Sequence, residues 1–433
     1  MLPLLLLMYV LAFLDRANLG FAKESFQADT GLSDAAYALG AGLFFIGYAI
    51  FEVPSNLIMR RVGARFWLAR IMISWGIVSA LMMFANNELA FYLLRILLGA
   101  TEAGFFPGVI LYLTMWIPVQ HRARVNGFFY FGPPLAFIIG GPFSGLLLDL
   151  DGLAGLAGWQ IMFLVTGVLT VLVGLLAIAY LDNGPETAKW LTSEEKSVLK
   201  ASMAKENEAK EGFSPRGAWR ALLNPVVLYF CLIAFTIQIA NYGVNFFLPT
   251  QVGKIVGESV GFQVGLITAI PWIAAIIATF LLTRLADRTG KRRLVAALTL
   301  FGAGVGLFLS VLTSDPVLAL GALSLAAAGN IAVQPVFWTL PTSFLTGAAA
   351  ASGIALINSL GNLGGFVAPI ARTAAEDAWG DQAGSFLLAG AAFVGAILLF
   401  LSNRVNKGVA TISELRADDT VSVYLKSADR SAR

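Results

Sequence analysis

Charge is scarce in this sequence. Only 13% of its 433 residues are Asp, Glu, Lys or Arg, roughly half the share of a soluble chain. Cysteine occurs once, as Cys231, which excludes an internal disulfide framework and a cysteine-based metal site. Histidine also occurs once, as His121, expected in a solvated loop. No nucleophile–base constellation or metal-ligand cluster is visible, so neither enzyme chemistry nor a cofactor or metal is expected. The alternation of a membrane β-barrel is missing too. The net charge of +3 does not point to nucleic acid, because the basic residues stand at the ends of apolar runs.

Apolar residues fill what charge leaves empty. They make up 58% of the chain, and the mean hydropathy is +0.78. The charges sit in short clusters between long apolar runs, and a bilayer core takes roughly 20 apolar residues per helical span. Lipid offers no partners to backbone groups, so these spans must be helices. The 44 glycines suit close helix packing in a membrane. Twelve spans are predicted, near 2–22, 36–59, 66–85, 89–116, 122–148, 159–181, 222–250, 262–284, 293–312, 316–340, 348–371 and 382–403. The first is not read as a signal peptide: it lacks a basic n-region and a small-residue cleavage site, and Asp15-Arg16 interrupts it. No basic anchor precedes Met1, so the native start can lie upstream.

Lys and Arg give the orientation. Arg60, Arg61, Arg65 and Arg70 follow span two, and Arg122 and Arg124 follow span four. Arg284, Arg288, Lys291, Arg292 and Arg293 follow span eight; Arg404 and Lys407 follow span twelve. The long loop at 182–221 holds seven more, from Lys189 to Arg220. The opposite loops carry Glu88, Asp149, Asp151, Asp315, Glu376 and Asp377. A multi-pass protein of the cytoplasmic (inner) membrane is expected, with both termini cytoplasmic. The polar loop divides it into an N-terminal six-helix half (1–181), a linker (182–221), a C-terminal half (222–403) and a polar tail (404–433). Within the linker, Thr192-Ser193-Glu194-Glu195 reads as the N-cap and first turn of a short surface helix.

The halves echo each other. Met59-Arg60-Arg61-Val62-Gly63-Ala64-Arg65 matches Ala286-Asp287-Arg288-Thr289-Gly290-Lys291-Arg292, and Gly140-Gly141 matches Gly364-Gly365. A repeated six-span unit places a site between the halves near the midplane. The run Leu285–Arg293 resembles the loop signature of the major facilitator superfamily, in which Asp and Arg latch neighbouring helices; here these are Asp287 and Arg288. The copy at 59–65 lacks the Asp.

A narrower resemblance covers nearly the whole chain. Leu14-Asp15-Arg16-Ala17-Asn18-Leu19-Gly20, Glu52-Val53-Pro54-Ser55-Asn56-Leu57 and the run Arg95–Gly108 look like the anion:cation symporter family. So do Gly158-Trp159-Gln160, Lys189-Trp190-Leu191-Thr192 and Asn358-Ser359-Leu360-Gly361-Asn362. The resemblance implies an all-α major facilitator fold of two pseudo-symmetric six-helix halves, and proton-coupled uptake of carboxylates: sugar acids, tartrate, phthalate or hydroxyphenylacetate. It also implies working roles for Asp15, Arg16, Arg95 and Glu102. A glutamine that helps bind sugar acid in span five of such relatives is replaced around Pro133-Pro134.

The residues lead to the same place by another route. Ionisable groups within spans are functional candidates; Asp15, Arg16, Glu52, Arg95 and Glu102 qualify, all in the first half. Between Leu294 and Ala371 the only charge is Asp315, and the C-terminal spans offer Gln238, Asn241, Tyr242, Asn245, Asn330, Gln334, Asn358 and Asn362 instead. Arg16 and Arg95 each lie about six residues from the outer end of their spans, so they are expected at one depth. Glu102 is then expected roughly 10 Å deeper on the face of Arg95. Two guanidinium forks suit a carboxylate. Substrate binding is therefore assigned to Arg16, Arg95, Tyr48, Gln238, Asn241, Tyr242, Gln334 and Asn358, proton coupling to Asp15 and Glu102, and gating to Glu52. Each has a bland alternative: a structural ion pair for the charges, packing for Tyr48, interhelical hydrogen bonds for the amides. The partners expected are a small organic anion, protons and lipid, around a monomer. A drug/proton antiporter of the same fold is the competing reading: it too uses acidic residues in its first spans, and Gly140–Gly145 resembles its span-five motif, but a cationic drug does not call for two intramembrane arginines.

Overall fold

Every long apolar run is helical in the computed structural model, which describes residues 1–117, 125, 129, 131–188, 191–197, 199, 224–344 and 347–402. Among these residues there is no strand. The tail at 404–433, most of the linker, Lys189-Trp190, His121, Arg122 and Arg124 lie outside the described residues.

The helices are Leu2–Thr30 (span one), Asp34–Val62 (two), Ala64–Leu81 (three), Glu88–Glu102 with Phe105–Trp116 (four), Gly132–Leu148 (five) and Gly158–Tyr180 (six). In the second half they are Pro225–Val256, Phe262–Thr289, Arg292–Ser310, Pro316–Phe344 and Gly347–Trp379 (seven to eleven), and Ala383–Ser402 (twelve). Short polar residues start them. The Ser33 hydroxyl accepts from the Ala36 amide at 3.1 Å, Asn87 Oδ1 from Ala90 at 3.0 Å, and Asn224 Oδ1 from Val226 at 2.8 Å. In the linker the Thr192 hydroxyl accepts from the Glu195 amide at 3.2 Å while Glu195 reaches back to the Thr192 amide at 2.9 Å. That is the expected cap.

Several predicted boundaries move, span seven running on to Val256, span eight to Thr289 and span eleven to Trp379, and two further changes shape the site. Span one does not stop near residue 22 but runs on to Thr30, where Gly31 closes it in the left-handed conformation at φ +70°. Its last two turns carry Lys23, Glu24, Gln27 and Asp29, which reads as a loop by charge yet continues the helix. Span four is broken at Ala103–Gly104, with Gly104 at φ +84°. A Cβ on Gly104 would meet the Ser55 side chain, so the helix bends where span two crosses it.

The packing repeats between the halves. Span one packs on span five and two on four; in the second half seven packs on eleven and eight on ten. The halves meet through one with seven, two with eleven, and five with eight. At one end of the bundle this contact is close: a Cβ on Gly20 of span one would lie 2.8 Å from the Phe246 carbonyl of span seven. Here the Asp149 carboxylate also accepts from the Phe262 amide at 3.0 Å. The halves touch at this closed end and part at the other.

Candidate functional site

At the centre of the bundle Arg16 meets Glu102. Arg16 lies fourteen residues before the end of its helix at Thr30, and Glu102 fourteen residues after the start of its own at Glu88. At about 1.5 Å per residue the two are level. The guanidinium Nη2 is 2.5 Å from Glu102 Oε1 and Nε donates to the same oxygen at 3.1 Å. Nη1 donates to the Tyr242 hydroxyl, on the other half, at 3.3 Å. Three rings surround the cation, Phe13 at 5.0 Å, Phe44 at 5.3 Å and Tyr48 at 5.6 Å. Aromatic faces stabilise a desolvated cation by roughly 2 kcal/mol or more. Glu102 is 1% exposed, and its second oxygen, Oε2, is buried with no hydrogen-bond partner. Half of that carboxylate is ready for a donor.

A cavity of about 1260 Å³ spreads from this pair toward the end where the halves part. Its walls are mostly aromatic and aliphatic: Phe13, Phe45, Phe105, Phe106, Phe280 and Phe337 among them. The polar groups facing it are few. Gln334 and Asn241 both donate to Gln238 Oε1, at 3.0 and 3.3 Å, and Gln238 donates to Asn362 at 3.2 Å. Asn358 donates to Glu52 across the halves at 3.4 Å. The amides therefore form a chain on the C-terminal wall, opposite Arg16, and Asn241 Oδ1 is left buried without a partner. Apolar walls with a few convergent polar groups are the usual make-up of a small-molecule site.

Of the residues singled out from the sequence, Arg16, Tyr48, Glu52, Glu102, Gln238, Asn241, Tyr242, Gln334, Asn358 and Asn362 line this cavity, whereas Asn245 and Asn330 are buried away from it. Arg95 and Asp15 do not line it either. Arg95, 2% exposed, gives Nε and Nη2 to the Gly40 and Ala41 carbonyls of span two, both at 3.2 Å. The expected pairing of Arg16 and Arg95 at one depth gives way to Arg16 and Glu102, because span one is longer than its apolar run. Asp15 points into the first half, where it accepts from Trp75 Nε1 at 3.2 Å and from the Ser79 hydroxyl. Asp287 pairs with Arg292 of its own loop at 3.1 Å. In the copy that lacks the acid, Asn183 Oδ1 accepts from the Arg65 amide and Arg65 Nε donates to the Ile178 carbonyl, at 3.1 and 2.6 Å. The loop after span two is thus tied to the end of span six.

Sequence reasoning missed the cage of Phe13 and Phe44, since aromatics are frequent in every span. It also missed Trp75 and Ser79 as the partners of Asp15, and the buried Arg372 beyond the predicted end of span eleven.

The family model of the Major Facilitator Superfamily matches residues 5–369. An inner membrane transport protein of Escherichia coli, RhmT, is 49% identical over 95% of this chain and 95% of its own length. A protein of Agrobacterium vitis provisionally named a tartrate transporter is 43% identical over 94% of this chain and 91% of its own. A quinolone resistance transporter of Acinetobacter baumannii is 41% identical, over 92% and 91%.

Proposed function

The chain belongs to the Major Facilitator Superfamily, and from that premise we propose that it is a secondary transporter carrying a small organic carboxylate together with protons. The observation that carries the reading is the Arg16–Glu102 pair at the head of the cavity. Arg16 is a planar fork caged by rings and answered by one carboxylate, and a substrate carboxylate can take the place of Glu102 on it. The displaced Glu102 would then be a buried anion without a partner, which is strongly unfavourable. A proton on Glu102 removes that penalty. Protonation and anion binding therefore favour each other, and the coupling is reciprocal.

The other candidates take places around this exchange. Tyr48 and Tyr242 flank the guanidinium, and Gln238, Asn241, Gln334 and Asn358 meet the uncharged part of the substrate. Asp15 and Arg95, buried beyond the head of the cavity, are the second proton site and second cation, reached when the halves part at the other end. Glu52, held by Asn358, joins the halves on the cavity side; Asp287 and Arg288 latch the loop after span eight. The protein works as a monomer in the inner membrane by rocking of the 1–181 and 222–403 halves about the site. Both termini, the 182–221 linker and the 404–433 tail face the cytoplasm, so the cavity faces inward. The tartrate naming of the Agrobacterium vitis relative fits this anion reading.

The quinolone resistance transporter and the aromatic walls keep a second reading open, export of an aromatic drug against protons. Quinolone antibacterials carry a ring carboxylate, so Arg16 serves either cargo; the direction of transport separates them. Purified protein reconstituted in vesicles is offered a panel of mono- and dicarboxylates under an inward proton gradient. Accumulation of one acid, with loss of the gradient when that acid is added, is the result expected. No acid accumulating, with quinolone moving oppositely to protons, overturns the symport reading.

A further inference from the structure

The closed end of the bundle contains a second pocket, about 360 Å³ in volume, separate from the central cavity. Arg372 of span eleven lies in its wall and is 6% exposed. Its guanidinium covers the Phe247 ring at 3.8 Å. Nε donates to Glu376 at 2.8 Å, and among the described residues Nη1 and Nη2 donate to nothing. Thr250, also in the wall and 9% exposed, has a buried hydroxyl without a hydrogen-bond partner. The terminal nitrogens of Arg372 are open to the pocket, and the buried group left unsatisfied beside them is the Thr250 hydroxyl, where buried polar groups are ordinarily satisfied.

Across the halves the same Phe247 ring is covered on span one by Lys23, at 5.1 Å. Lys23 pairs with Asp34 at 2.8 Å. It stands seven residues after Arg16, hence two turns along the same face of one helix and roughly 10 Å nearer the closed end. Three cations thus descend toward the centre, each held by one carboxylate: Arg372 by Glu376, Lys23 by Asp34, Arg16 by Glu102. Lys23 itself lines the pocket, so four carboxylates and three cations border it; of these Asp34, Asp377, Asp381 and Lys254 stand on the exposed rim. Charges there are screened far more than those in the wall.

We propose that this pocket is an anion-binding vestibule, in which Arg372 and Thr250 hold a small organic carboxylate before it passes Lys23 and reaches Arg16. Each cation exchanges its internal carboxylate for the ligand's; water reaches the displaced Glu376 and Asp34, which are partly exposed, and a proton answers the buried Glu102 at the last step. The proposal rests on the carboxylate reading of the central site for its ligand class, but its own chemistry is local.

A charge-selective thiol probe tests it without the substrate. Gln251 lines the pocket; in a Cys231→Ser background, Gln251→Cys is reacted with methanethiosulfonates of equal reach, one bearing a sulfonate and one a trimethylammonium. Purified protein in detergent presents both ends to the reagent, so neither topology nor central-site affinity enters. The sulfonate should react about tenfold faster, the factor that roughly 1.4 kcal/mol of electrostatic preference gives. Arg372→Gln should erase the preference and Glu376→Gln should enlarge it. The wild-type arginine suffices for the first comparison, so a poorly folding Arg372 variant does not block the test. Equal rates, or a faster ammonium reagent, would overturn the vestibule while leaving the Arg16 site untouched.

Discussion

Arg16 illustrates how far a single residue could be placed from sequence. That an arginine and a glutamate inside spans belong to the working site was legible, because lipid tolerates such groups only where they are used or paired. Which acid answers Arg16, Asp15 or Glu102, was not, because it depends on where span one ends, and Lys23 to Asp29 continue the helix where polarity suggests a loop. The pair itself contributes little net stability, since desolvation offsets most of the attraction. Its value lies in being exchangeable. Arg16→Lys keeps the charge and loses the fork, so binding of the transported acid should weaken roughly ten- to a hundredfold, the equivalent of about 1.5–3 kcal/mol for a charge-assisted hydrogen bond. Calorimetric titration of the variant reads this directly. An unchanged affinity would make Arg16 a structural ion-pair partner. Asp15 sets the contrast. Its hydrogen bonds to Trp75 and Ser79 lie within one half, so Ser79→Ala should lower thermal stability, by about 1–3 kcal/mol for a buried group left unsatisfied. Acid affinity should be the same with and without Ser79 when measured on the remaining folded protein.

At the scale of elements, span four shows why twelve apolar runs do not by themselves make the site. Its sequence predicts one helix across 89–116; the structure breaks it at Ala103–Gly104, immediately after Glu102. The break makes Glu102 the last residue of its helix. The partial negative charge of a helix C-terminus favours a cation beside it, and Arg16 supplies one. Length, apolar content and the repeat were enough to foresee the spans. The bend was not foreseen, because it comes from contact with Ser55 of span two, far away in sequence. Gly104→Ala tests this element. A left-handed φ costs a residue with a side chain about 1–2 kcal/mol, and the Cβ must also displace Ser55. The melting temperature should fall, and the affinity for acid should fall with it because Glu102 moves relative to Arg16. Stability lost with affinity intact would mean that the bend does not position the site.

Taken whole, the molecule is a pair of similar halves touching at one end and parted at the other by the central cavity. Among the described residues, the arginines and lysine that follow spans two and eight (Arg61, Arg65, Arg288, Lys291, Arg292 and Arg293) stand at the parted end. That asymmetry predicts that Ser197→Cys, in a Cys231→Ser background, escapes a membrane-impermeant thiol reagent added to intact cells. Asp151→Cys, at the closed end, should react. The reverse pattern would turn the whole assignment of cytoplasmic and outer faces over. The division of labour between the halves was visible in the sequence, since the intramembrane charges read from it all lie in the first half, whereas Gln238, Asn241, Gln334 and Asn358 of the second half line the cavity without charge. Which charges line the cavity was not, because it depends on which way the halves are rocked, and a sequence encodes both positions at once.

The central claim is that a substrate carboxylate replaces Glu102 on Arg16 and that Glu102 takes up a proton as it leaves. Proton uptake on binding measures this most directly. The acid that accumulates in vesicles is titrated into purified protein at pH 8 in two buffers of different ionisation enthalpy, and the heats give the protons bound per ligand. The wild type should take up about one proton per acid and lose affinity as pH rises. Glu102→Gln should bind the acid with none. Acid binding by the wild type without proton uptake, or uptake unchanged in Glu102→Gln, would contradict the exchange.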